Sequence, residues 1–477
     1  MVAYDTLING GTIIDGTGAP RYAADLAIVA GRIAAIGALD ECDAREEIDA
    51  HGMVVAPGFV DVHTHDDRAV LESPSMPAKV SQGVTTVVTG NCGISLAPLQ
   101  GEPPPPLNLL GGADWYRFAS FADYLDKLAG APAAVNVAPL VGHSTLRVAH
   151  MDNVQRPATT AEISRMCLTL GDALEAGAIG LSTGLAYPTA SAASAEEVVE
   201  IARLLADQGG IYTTHMRDEA DQLVAAVEET LATGERAGVP VVISHHKACG
   251  RRNWGRIEDT LALIGNAQGL VAFDVYPYIA SSTVLLPDFL DRAEKVVVTW
   301  SEPHPECAGT ALHEIAEKWG CDVDEAVQQL QPAGAIYFQM HERDLQRALS
   351  YPGAMIGSDG LPHDIHPHPR LWGTFPRVLG HYCRELGLFT LEEAVHRMTG
   401  RPAQVFGLQD RGILVEGNHA DLTVFDAQSI IDEATFEHPT RPATGIQRVW
   451  SNGECIWRDG QATGARPGHT LSEKLGV

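Results

Sequence analysis

The chain has 477 residues, 45% hydrophobic and 20% charged. That is enough for one large barrel of roughly 250 residues or more with a smaller unit beside it, and too balanced for a disordered or fibrous protein. Lys and Arg number 33 against 61 Asp and Glu, a formal net charge of −28, which repels phosphate backbones and anionic membranes and excludes both as expected partners. Salt screens such a field over about 10 Å, so a locally basic pocket can still take a small anion.

The segment from Met1 to Gly11 lacks a basic stretch followed by a long apolar run, and nowhere do 18 apolar residues follow one another. Neither a secretion signal nor a membrane span is expected. Eight Cys without a C-x-x-C pair do not make a disulfide framework and fit a reducing cytoplasm.

In chain order, residues 6–10, 11–16 and 25–37 read as short strands, with Asn9-Gly10-Gly11 and Asp15-Gly16 as turns. From residue 54 the pattern changes to eight apolar runs, at 54–62, 84–90, 133–142, 178–184, 210–214, 239–244, 270–276 and 354–358. Helical stretches with apolar positions at three- and four-residue steps lie between them, clearest at 161–176, 194–208, 219–237 and 257–267. Ser194 with Glu197 three residues on predicts a capping box. Repeated βα units whose strands are apolar on both faces predict a (β/α)8 barrel rather than an open doubly wound sheet. Prolines 103–106 read as a stiff loop. Residues from about 285 to 347 exceed one helix and read as an insertion after the seventh strand. The chain then returns to short β-type runs at 421–425, 446–450 and 454–457, with Asn452-Gly453 as a hairpin signal. The expected division is residues 1–56 and 413–477 as two all-β ends of one small sheet domain, with 57–412 as the barrel.

Metal-type residues fall at the carboxyl ends of these runs. His63 and His65 follow the first, Cys92 the second, His215 the fifth, His245 the sixth and Asp359 the eighth. In a barrel those ends converge on the face where active sites are built. A lone histidine at a strand end is commonly a hydrogen-bonding residue, but coincidence at five of the eight ends points to a ligand set, and four imidazoles, a thiol and a carboxylate suit zinc. His63 and His65, two apart on an extended segment, can face one cation. Cys92 has three readings: a buried structural thiol, a thiolate ligand able to bridge two metals, or a nucleophile, for which a neighbouring zinc would compete. Asp359 is the natural acid/base, placed to take a proton from a metal-activated water and deliver it to the leaving group.

On these residues the chain resembles the D-aminoacylase, or N-acyl-D-amino-acid deacylase, family of the amidohydrolase superfamily. The likeness runs from residues 10–18 (GGTIIDGTG) through 57–67 (PGFVDVHTHDD), 82–93 (QGVTTVVTGNCG), 184–188, 214–217, 244–247 and 357–360 to 368–373 (HPRLWG). The resemblance implies a barrel flanked by a small β-sandwich built from both termini. It implies one tightly held Zn²⁺ on Cys92, His215 and His245, and a second, weaker or emptier position formed by His63, His65 and Asp359. It implies that zinc-bound hydroxide attacks the acyl carbonyl of an N-acyl-D-amino acid while Asp359 shuttles the proton. It also implies a carboxylate clamp of Lys247, Arg370 and a tyrosine of the segment 275–278, placed at Tyr278, with Tyr187 touching the same substrate. Members acting on acidic substrates carry a basic residue just after the proline of the segment following the seventh strand. Here that stretch, residues 285–290, reads LLPDFL, so an apolar side-chain pocket touched by Phe289 is expected.

His363, His366 and His368 read as loop packing, and His143 and His246 have no assigned task. Two other functions compete: a cyclic amidohydrolase of the dihydropyrimidinase or hydantoinase kind, whose bridging Lys at the fourth strand end is missing from Ser182-Thr183-Gly184-Leu185, and a non-catalytic scaffold relative, whose eroded ligands are not seen here.

Overall fold

The computed structural model describes residues 4–39 and 43–472. Eight parallel strands follow the eight apolar runs: β1 (Phe59–Asp61), β2 (Val84–Thr89), β3 (Asn136–Gly142), β4 (Gly180–Gly184), β5 (Ile211–His215), β6 (Val241–Ile243), β7 (Val271–Val275) and β8 (Ala354–Ile356). Each pairs with the next in sequence order. The edges β8 and β1 meet through a parallel bridge between Thr64 and Gly360 and the Asp359 N–H donated to the His63 carbonyl at 2.8 Å. The sheet is a nearly closed (β/α)8 barrel.

Period-two alternation explains why the runs are apolar throughout. Val60, Val88, Leu140, Val242 and Met355 form one buried cluster with Ala403, Phe406 and Leu408. Their neighbours Phe59, Val87, Val141, Ile243 and Ile356 pack in a second cluster with Leu170, Val198 and Val227 of the surrounding helices.

Both chain ends build one nine-stranded sheet in which Val54–Pro57 lies between Tyr4–Ile13 and Leu422–Phe425. Its core includes Ile8, Leu26, Ile33, Ile48, Val55, Leu422 and Trp450. Asn452 and Gly453, both at positive φ, turn the hairpin from Ile446–Ser451 into Glu454–Arg458.

Four local readings change. Residues 25–37 fall in two antiparallel strands, Tyr22–Val29 and Arg32–Gly37, joined by Ala30 and Gly31 at positive φ. Residues 6–16 contain one strand, Tyr4–Ile13, because Asn9-Gly10-Gly11 makes an irregularity within the ladder rather than a turn. The run at 54–62 is two strands with Gly58 at the break, where a Cβ would lie 2.2 Å from the Thr85 side chain. Ser194 does cap its helix by accepting from the Glu197 N–H, but the Glu197 carboxylate goes elsewhere, to His143, Arg147 and the Ala158 N–H.

After β7 the chain forms a three-stranded antiparallel sheet, Ala280–Val284, Lys295–Ser301 and Ala333–Phe338, covered by helices Leu312–Trp319 and Val323–Leu330. No helix among the described residues is long and apolar enough to cross a membrane, and the seven described cysteines are all free.

Candidate active site

The strand ends bring the predicted ligands together. The Cys92 Sγ lies 3.2 Å from His63 Nε2, 3.4 Å from His245 Nε2 and 3.8 Å from His215 Nδ1. Asp359 Oδ1 lies 3.5 Å from His63 Nε2 and 3.3 Å from His65 Nε2. All six side chains are buried. Around a tetrahedral zinc with Zn–S of about 2.3 Å and Zn–N or Zn–O of about 2.0–2.1 Å, neighbouring donor atoms stand roughly 3.4–3.6 Å apart. The observed spacings bracket that edge length, and His63, Cys92, His245 and Asp359 offer ligand atoms all within 4.8 Å of one another, so these four fit such an ion.

Holding these side chains inward strains the backbone. Cys92, His245 and Asp359 have φ of 55°, 36° and 51°, the left-handed region that costs a non-glycine residue on the order of 1–3 kcal/mol and persists where the surroundings over-determine it. The surroundings are visible. Asp274, near the end of β7, accepts the His245 N–H at 2.9 Å with one oxygen and lies 3.2 Å from His63 Nδ1 with the other. Asp61 accepts the Ser358 N–H at 2.7 Å and takes a 2.7 Å ion pair from Lys79, which also donates to Ser358 Oγ at 2.8 Å.

Burial alone would push the Cys92 thiol up, but His63 and His245, with hydrogen bonds from His215 and His245, hold it well below its ordinary value. Burial likewise opposes ionisation of Asp359, and Arg370 with His63 and His245 overcomes it, so the carboxylate is held well below the usual range. A thiolate and a carboxylate facing imidazoles form a preorganised cation site.

Arg370 opens the helix Arg370–Arg377. Its Nη1 is 2.8 Å from Asp359 Oδ2 and its Nη2 donates to the Ser282 carbonyl at 2.9 Å. The side chain is fully buried, yet its Nε has no hydrogen-bond partner. Lys247 Nζ donates to Glu219 Oε1 at 2.6 Å and to the His245 carbonyl at 3.0 Å. Tyr187 packs its ring 4.8 Å from that of His215, and its hydroxyl is 3.0 Å from Thr283 Oγ1.

Two expected neighbours stand elsewhere. The phenol beside both cations is Tyr276, whose ring lies 4.6 Å from the Arg370 guanidinium and 5.7 Å from Lys247 Nζ. Tyr278 is instead turned to Asp432, 3.5 Å from its hydroxyl, and to the Arg377 guanidinium. Residues two apart share a face only in an extended strand, and here the chain has left β7. Phe289 packs on Tyr337 and under Arg292, in the cluster of the three-stranded sheet.

The other histidines are tied locally. His363 lies 3.4 Å from Glu72, while His366 and His368 meet the Phe436 and Ala280 carbonyls. His143 meets Glu197, and His246 meets Thr260. Sequence reasoning missed Asp61, Asp274 and Glu219. Asp61 ends β1 and Asp274 is the last residue but one of β7, a signal that could have marked them. Residue 219 reads as the start of a helix that begins instead at Leu223, so Glu219 lies in the loop after β5, and no local signal marks it.

An eight-stranded parallel barrel carrying this Cys, His and Asp cluster at the carboxyl ends of its strands defines a metal-dependent hydrolase barrel. The Amidohydrolase family model matches residues 46–257 and 330–457. The D-aminoacylase of Alcaligenes xylosoxydans xylosoxydans is 54% identical over 472 residues, 98% of either chain. The N-acyl-D-glutamate deacylase of the same organism is 48% identical over 478 residues, 99% of this chain and 97% of that one. A solved D-aminoacylase structure, described as having a binuclear metal centre with one-metal activation and second-metal attenuation, superposes with a TM-score of 0.96 at 54% identity, over 98% of this chain and 99% of that one. N-acyl-D-glutamate deacylase from Bordetella bronchiseptica, complexed with zinc and a phosphonate mimic of the tetrahedral intermediate, superposes with a TM-score of 0.95 at 49% identity, over 99% and 100%. A D-hydantoinase shares the fold at 16% identity, with a TM-score of 0.63 over 99% of both chains. The chain belongs to the D-aminoacylase, or N-acyl-D-amino-acid deacylase, family of the amidohydrolase superfamily, and it is a hydrolase.

Proposed function

We propose that this enzyme hydrolyses the amide bond of N-acyl-D-amino acids with zinc, releasing a carboxylate and a D-amino acid. The observation that carries the reading is the convergence of Cys92 Sγ on three imidazole nitrogens within 3.8 Å, with Asp359 and Arg370 alongside. Cys92, His215 and His245 would hold the tight zinc, and His63, His65 and Asp359 a weaker second position. A zinc held by these residues would supply polarisation of the acyl carbonyl and a lowered pKa of water. The Asp359 carboxylate takes the proton from the attacking water and returns it to the departing amine nitrogen. The buried Arg370, whose free Nε leaves a desolvated donor that costs on the order of 1–3 kcal/mol, receives the substrate α-carboxylate, with Lys247 and Tyr276 lining the same anion position.

Carboxylate, reacting carbonyl and side chain then define three points, which select one hand at the α-carbon. The side-chain wall includes Tyr187, and no basic residue follows Pro287, where the chain reads Asp288-Phe289-Leu290, which favours D-Leu, D-Phe, D-Met or D-Trp derivatives. A panel of N-acetyl-D- and N-acetyl-L-amino acids tests this. N-acetyl-D-leucine is expected to be hydrolysed well, its L-enantiomer not measurably, and N-acetyl-D-glutamate more slowly; faster turnover of the glutamate derivative would reject the apolar preference.

Arg370→Lys keeps a charge but loses the planar fork. A hydrogen bond to a charged group contributes about 1.5–3 kcal/mol, so kcat/KM for N-acetyl-D-leucine should fall roughly 10- to 100-fold, and less for the matching carboxamide, which has no anion to hold. Equal losses for both would remove the carboxylate from Arg370.

The cyclic-amidohydrolase alternative loses ground at the fourth strand end. A Cβ on Gly184 would sit 2.1 Å from the Cys92 carbonyl oxygen, and Thr183 is engaged with Tyr212 and Thr214, so neither position offers a bridging lysine. Hydantoin and dihydrouracil ring opening are expected to be absent.

A further inference from the structure

We infer that Glu219 is a positioning residue that sets the tautomer of His245 in the tight metal site, faces His215 and joins His245 to Lys247. It lies in the loop between β5 and the helix Leu223–Ala237, 7% exposed, with its carbonyl accepting the Cys249 N–H at 2.7 Å. Its Oε1 is 2.9 Å from His245 Nδ1 and 2.6 Å from Lys247 Nζ, and its Oε2 is 3.8 Å from His215 Nε2.

The two histidines turn opposite nitrogens to Cys92, His215 its Nδ1 and His245 its Nε2. A neutral imidazole that gives one lone pair to a metal carries its proton on the other nitrogen. Here those other nitrogens, His215 Nε2 and His245 Nδ1, both face the same carboxylate. A carboxylate in that place fixes ring orientation and raises ligand basicity.

Lys247 shows why the arrangement needs a charge. Its Nζ is 2.8 Å from His245 Nδ1, but an ammonium only donates, so it can bond that nitrogen only when the proton sits on Nε2, the form that cannot ligate. Glu219 resolves the conflict by accepting from both His245 Nδ1–H and Lys247. One buried anion therefore selects the metal-competent tautomer and anchors the cation beside it.

This inference rests on the reading of Cys92, His215 and His245 as ligands, and zinc affinity tests it separately from turnover. Zinc binding by the full chain is measured by chelator competition for wild type, Glu219→Gln and Glu219→Asp. Glu219→Gln keeps shape but loses the charge, and its zinc affinity is expected to drop about 10- to 100-fold, the usual effect of losing an outer-shell partner; because the buried Lys247 also loses its anion, the metal-free variant is expected to unfold at a lower temperature, and affinity is measured on protein that is folded without metal. Glu219→Asp retains the charge at shorter reach and should fall between. Affinity within twofold of wild type in Glu219→Gln overturns the proposal. So does equal destabilisation of the metal-free form with unchanged affinity. If Glu219→Gln does not fold, wild-type affinity in Glu219→Asp overturns it. Wild-type protein that binds zinc in a Glu219-dependent way yet leaves every N-acyl-D-amino acid intact would keep this role and reject the substrate reading.

Discussion

Asp359→Asn is expected to lower kcat on N-acetyl-D-leucine by roughly 10²- to 10⁴-fold, the usual contribution of a positioned acid/base, while KM changes little. The physical basis is the pairing of one carboxylate oxygen with His63 and His65 and the other with Arg370, which keeps the group ionised and fixed in direction. Asparagine preserves that shape but cannot accept a proton. Asp359→Ala should lose at least as much activity. It also leaves the buried Arg370 guanidinium without its anion, a change that can cost about 3–5 kcal/mol, so its thermal stability must be read beside its kinetics. Steady-state kinetics with circular dichroism make the check; near-normal kcat in a folded Asp359→Asn protein would remove Asp359 from the proton transfer.

The second large effect is expected at Cys92. Cys92→Ala should lose tight zinc binding by more than the roughly 10- to 100-fold typical of an outer-shell partner, and activity with it. Ligand binding to the native state raises apparent stability in proportion to the logarithm of ligand concentration over Kd, so the rise in Tm that zinc gives the wild type should vanish in the variant. Cys92 sits at φ 55°, which makes Cys92→Gly the informative companion: it relieves the backbone and still removes the thiol. Metal analysis and thermal unfolding with and without zinc decide the matter. A Cys92→Gly protein that keeps one tight zinc would return Cys92 to the structural-thiol reading.

Much of this protein is legible in its sequence because its signals are local and repeated. Eight apolar runs with intervening helical periodicity specify a barrel, since strands buried on both faces have few other architectures open to them. His63, His65, Cys92, His215, His245 and Asp359 were visible because a barrel turns position at a strand end into proximity. Tyr278, which the resemblance implies as the tyrosine of the carboxylate clamp, is turned to Asp432 and Arg377, while Tyr276 lies beside Lys247 and Arg370; a likeness of sequence does not carry the direction of a side chain past the end of β7.

The composition is that of a large acidic protein with room for a locally held anion, and the residues at the strand ends carry the metal-type chemistry. What the sequence determined by itself was the fold class and the identity of the ligand-type side chains, both carried by periodicity and by spacing within single elements. What only the tertiary structure decided was the set of relations between elements. Asp274 reaches both His63 and His245, Glu219 faces His215, His245 and Lys247, and Glu197 leaves its helix cap for His143 and Arg147. A buried carboxylate must find its partners wherever the closed barrel brings them, and that choice depends on contacts between segments far apart in the chain.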